Sequence, residues 1–111
     1  MARGFGGLGD MAKLMKQAQK MQEDMVAAQK ELEDARVEAT SGGGVVKAVV
    51  TGKGKLVSIV IAPDVVDPAD VEMLQDLIVS AIREAEEKAE AMELERMQSM
   101  TGGLGLPPGI F

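Results

Sequence analysis

Three lysines and a glutamine in the first quarter of the chain, Lys13, Lys16, Gln17 and Lys20, have the types and spacing to do chemistry together. At 100° per residue on a helix they fall within an arc of about 100°, roughly 120° from the centre of the neighbouring apolar stripe. Lysines at that spacing neutralise phosphates and release counterions, and glutamine hydrogen-bonds phosphate oxygens or groove edges. The same face turns acidic further on, at Asp24 and Glu31, so the patch covers about three turns at one end of a helix. The plain alternative is a solvated lysine face.

The basic patch stands out because the chain is acidic: 12 Lys and Arg against 18 Asp and Glu give a net charge of -6 over 111 residues. Residues 1–36 are neutral, with six charges of each sign, residues 37–62 carry +2 and residues 63–111 carry -8. The acidity therefore belongs to the C-terminal part. There is no Cys and no His, which excludes disulfides, thiolate chemistry and imidazole as base or ligand. Only Phe5 and Phe111 are aromatic, so no platform for stacking single-stranded bases is available.

Other candidate motifs fail on context. Gly4, Gly6 and Gly9 match a dinucleotide fingerprint, but that motif follows a strand, and only three residues precede Gly4. The stretch Thr51-Gly52-Lys53-Gly54-Lys55 lacks the glycine and hydroxyl of a phosphate loop and reads as a hairpin, whose two lysines remain usable as phosphate contacts. The glutamates at 84, 86, 87, 90, 93 and 95 read as a solvated face without a ligand constellation. No nucleophile–base motif is present, and the reading is a non-enzyme with no cofactor, no metal and no small-molecule substrate.

The elements that position these residues follow from periodicity. Asp10 is the expected cap of a helix to about Arg36, in which Met11, Leu14, Ala18, Met21, Met25, Ala28, Leu32 and Ala35 form an unbroken heptad seam. Three short β segments follow, at 36–40, 45–51 and 56–62, joined by the Gly turns at 41–44 and 52–54; they predict an antiparallel meander. Asp67 with Pro68 is expected to open a last helix, to about Met100, whose apolar face includes Val71, Leu74, Leu77, Ile78, Ala81, Ala85 and Ala89. Residues 1–9 read as a flexible Gly-rich arm, 10–100 as a single domain and 101–111 as a flexible Gly/Pro tail.

The fold class is α+β, in the order α-β-β-β-α, with a three-stranded antiparallel sheet flanked by two long helices. At 1.5 Å per residue those helices are roughly 39 and 48 Å long, against about 20–24 Å for the strands. Their seams outrun the sheet, and a homodimer is the expected partner for the surplus. No apolar run reaches about 18 residues and the N-terminal "MARGFGGLGD" lacks the apolar stretch of a secretory signal, so the expectation is a cytoplasmic protein with no membrane partner.

Four segments together carry a resemblance: "LMKQAQKMQ" (14–22), "SGGGVVKAVVTGKGKLVSIVIAPDVV" (41–66), "DVEMLQDLIVSAI" (70–82) and "MTGGLGLPPG" (100–109). In this order they resemble the YbaB/EbfC family of bacterial nucleoid-associated DNA-binding proteins, over nearly the full chain. The resemblance implies a tweezers-like homodimer, a body of sheets with helical prongs, that binds double-stranded DNA without catalysis and influences nucleoid organisation and gene expression. It places Lys16, Gln17 and Lys20 on the first prong, with Lys13 beside them, and makes Arg83, Lys88 and Arg96 of the last helix further candidates. Arg3 of the N-terminal arm is another. Where A-x-N-x-A is common in the family, this chain has Ala81-Ile82-Arg83-Glu84-Ala85. The competing class is a protein-interaction adaptor whose Met-lined helices grip another helix, with DNA binding incidental.

Overall fold

A computed structural model of the chain describes the backbone of residues 3–102 and the side chains of residues 9–100. Its elements are α1 (Arg3–Asp34), β1 (Arg36–Ser41), β2 (Val46–Thr51), β3 (Leu56–Ile61), a one-turn 3-10 helix (Pro63–Val65) and α2 (Val71–Gly102). The α-β-β-β-α order is the expected one. The chain divides into two units, one ending at Lys30 and the other beginning at Glu31.

The first unit is the helical stretch of α1 up to Lys30. The helix starts at Arg3, so the expected arm at residues 1–9 is helical from its third residue, and Asp10 lies inside the helix rather than at its cap. Extending a formed helix adds one hydrogen bond per residue fixed, whereas starting one is costly, and the seam from Met11 onward supplies the formed helix. Met11, Leu14 and Met25 of that seam are exposed.

The second unit holds the end of α1, the sheet and α2. Strand order is β1-β2-β3, antiparallel throughout, with Arg36 opposite Thr51 and Ser41 opposite Val46 in the first pair. Gly42, Gly43 and Gly44 reverse the chain between β1 and β2 with φ of 61°, 76° and 100°, a region that only glycine occupies freely. The second pair slips register between Val49 and Val50: Val49 faces Ser58 and Val50 faces Leu56, leaving Val57 as the extra residue of a bulge.

Alternation decides which face of the sheet is covered. Val37 and Ala39 of β1 and Val46, Ala48 and Val50 of β2 are buried. Against them lie Ala81, Ala85 and Ala89, at most 1% exposed, spaced four apart along α2. Small side chains on that ridge let the helix backbone approach the sheet closely, while Leu74, Leu77, Ile78 and Ile82 fill its flanks. The helix lies across β1 and β2. On β3, by contrast, Leu56, Val57 and Val60 stay about half exposed.

The cap of α2 differs from expectation. Asp67 turns back on itself, its Oδ1 accepting the Ala69 N–H at 2.9 Å, and Asp70 caps the helix by accepting the Met73 N–H at 3.2 Å. The sequence offers two Asp three residues apart. Residues 68 and 69 form a turn closed by the Asp70 N–H donating to the Asp67 carbonyl at 2.9 Å, and the helix begins only after it.

Candidate nucleic-acid interface

The face of α1 that carries Lys13, Lys16, Gln17 and Lys20 is exposed throughout. Spacings of three, one and three residues put the four side chains over about 10 Å of helix length on one side. Among the described residues, no ion pair engages Lys13, Lys16 or Lys20. Three ammonium groups on flexible stems, held by a helix and in no ion pair among the described residues, form a surface suited to a row of phosphates. Arg3 falls in the first turn of α1, with its side chain outside the described residues.

The candidates on α2 have different surroundings. Lys88 Nζ donates to the Glu38 carbonyl at 3.2 Å, tying the helix to β1. Arg96 Nε donates to Glu31 Oε2 at 2.8 Å, linking α2 to the end of α1. That pair borders an open cleft of about 430 Å³ with Leu32, Ala35, Met92, Glu95 and Ser99. Arg83 is exposed among Asp76, Glu84 and Glu87. Lys88 and Arg96 thus meet a carbonyl and a carboxylate of their own unit, and the surface around Arg83 is acidic.

The sheet adds cations of its own. Lys47 Nζ lies 3.3 Å from Glu38 Oε1, an exposed pair across the uncovered face. Lys53 and Lys55 are exposed on the β2–β3 hairpin. The commitments of Lys88 and Arg96 had no sequence signal, because their partners are 50 and 65 residues away. The described residues contain no group of three or more acidic side chains placed to hold a metal ion. No described helix is long and apolar enough to cross a membrane.

Comparison with known proteins places this geometry. The family model described as the YbaB/EbfC DNA-binding family matches residues 7–104. The chain belongs to the YbaB/EbfC DNA-binding family. Its relatives include a protein of Ruminiclostridium cellulolyticum, 55% identical over 108 residues, covering 97% of this chain and 92% of the other. One of Acetivibrio thermocellus is 53% identical over 108 residues (97% and 94% covered), and one of Clostridium kluyveri is 50% identical over 115 residues with both chains covered in full. All three bear the name nucleoid-associated protein. Among solved structures, the uncharacterized protein HP0035 of Helicobacter pylori shares the fold, with a TM-score of 0.56 and 24% identity over 67% of this chain and 86% of that one.

Proposed function

We propose that this member of the YbaB/EbfC family is a nucleoid-associated protein that binds double-stranded DNA as a homodimer, mainly through phosphate contacts, and influences nucleoid organisation and gene expression without catalysing a reaction. The observation that carries the reading is the exposed face of Lys13, Lys16 and Lys20, in no ion pair among the described residues, in a chain of net charge -6. Acidic surface elsewhere repels a polyanion, so contact is confined to the basic segments. Gln17 adds a hydrogen-bonding group, and Arg3 extends the same end. Arg83, Lys88 and Arg96 take a smaller share, since each already lies beside protein carbonyls or carboxylates. With no aromatic and no Asn on the lysine face, base readout is minor and affinity rests on charge. The protein acts where the DNA is, in the cytoplasm at the nucleoid.

Fluorescence anisotropy of a labelled duplex tests this. Wild type should bind at low salt and weaken steeply as salt rises, and Lys13/Lys16/Lys20→Gln should lower the log–log salt slope by about 3 per chain, at 0.9 per lost contact. A wild type that ignores duplex DNA at low salt would overturn the reading. The exposed Met11, Leu14 and Met15 would then favour the adaptor alternative, in which the helix grips a protein partner.

A further inference from the structure

The chain has nine methionines and no Cys, His, Trp or Tyr. Methionine sulfur is therefore the one group in the sequence that a mild oxidant attacks readily. Met11, Met15, Met21 and Met25 all fall on α1, the helix that carries the lysine face. Met11 and Met15 are 61% and 65% exposed, against 39% and 38% for Met73 and Met92 of α2, and Met21 and Met97 are half-buried. Met11 and Met15 stand one turn apart, and Met15 directly precedes Lys16, so the two most open thioethers lie within the turns of the lysine face.

What keeps these turns helical is local. From Asp10 to Ala27 every side chain but that of Met21 is exposed, and the first buried one is Ala28. A helical stretch without a buried face depends on its backbone hydrogen bonds and on the helix preference of its residues. Methionine is a good helix former because its unbranched chain loses little freedom and carries no group that competes for backbone hydrogens. A sulfoxide adds a strong acceptor at Sδ, able to take backbone N–H groups in non-helical conformations as Asn and Ser do.

We propose that Met11 and Met15 are a reversible oxidation site that controls how well the lysine face is held together. The inference rests on the DNA-binding reading above. Hydrogen peroxide is the oxidant: an Sδ lone pair attacks one peroxide oxygen, the S–O bond forms as the O–O bond breaks, and the departing hydroxide takes the remaining hydroxyl proton and leaves as water. Sulfur loses two electrons and the peroxide gains them. The sulfoxide is neutral, so the lysine charges stay as they are, and the change falls on the helix that sets them in one arc. Methionine sulfoxide reductases return the thioether.

The test treats the full chain with hydrogen peroxide and follows each methionine by peptide mass spectrometry, with far-UV circular dichroism and duplex affinity measured on the same samples. Met11 and Met15 should oxidise before Met21 and Met97. Helix content should then fall, and duplex affinity should drop by up to about tenfold, the effect of moving two residues from the favourable to the unfavourable end of the helix scale. The log–log salt slope should stay at its untreated value, because the bound form keeps its phosphate contacts. Reductase should restore the treated wild type, and Met11→Leu/Met15→Leu should keep helix and affinity through the same treatment. If Met21 and Met97 oxidise as fast, if the oxidised protein keeps its helix content and affinity, or if the leucine variant loses affinity as wild type does, the oxidation site is wrong and the DNA-binding reading stands. If the untreated protein binds no duplex, that reading falls, and the site is decided by the order of oxidation and the helix signal.

Discussion

Gly52 shows how much one side chain's absence can determine. Its N–H reaches the Leu32 carbonyl, and a Cβ at this position would stand 2.7 Å from that same oxygen and 3.1 Å from the Leu32 Cα. Both are backbone atoms, so no rotamer change relieves the clash. Gly52→Ala is therefore expected to destabilise the fold by about 1–3 kcal/mol, the usual range for overpacking. Urea unfolding followed by circular dichroism would measure it, and an unchanged midpoint would mean that hairpin and helix end separate freely. At this scale the sequence was legible only for local roles. Gly52 was readable as a turn residue, but its close approach to Leu32, 20 positions earlier, was not. The same holds for Ser41, whose Oγ donates to the Leu77 carbonyl at 2.6 Å.

Elements form from patterns that a sequence displays, and their ends depend on competition between similar signals. The alternation in β1 and β2 and the alanine ridge of α2 were readable because periods of 2 and 3.6 are properties of the backbone itself. The start of α2 was not, since Asp67 and Asp70 are both suitable caps. The observed bond from the Met73 N–H makes Asp70→Ala the informative change. It should cost about 1 kcal/mol, the usual value of an N-cap, and Asp67→Ala should cost less, because it opens only the preceding turn. Thermal unfolding of the two variants side by side would check the order. An equal or reversed effect would return the cap to Asp67.

For the molecule as a whole, the outer edge of β3 pairs with no strand among the described residues, and Leu56, Val57 and Val60 leave it about half exposed and apolar. Such an edge pairs readily with another chain unless it is covered. The homodimer proposed above would have this edge available as an interface. Light scattering at micromolar concentration should give twice the 11.7 kDa of the chain, and Val60→Lys should shift the mass toward monomer. A wild-type mass of one chain would remove the dimer and with it the doubling of lysine contacts on one duplex.

By itself the sequence determined the order and type of the elements, the antiparallel meander, the acidic C-terminal part and the lysine face near the N-terminus. All of these depend on spacing along the chain, which folding does not alter. Tertiary structure alone decided which cations the fold supplies with a partner. Lys88, Arg96 and Lys13 look alike as letters. Contacts 50 and 65 residues away draw Lys88 and Arg96 to Glu38 and Glu31, while no ion pair among the described residues engages Lys13. The difference arises because an ammonium or guanidinium group settles on the nearest acceptor that the fold brings to it, and spacing along the chain does not reveal that acceptor.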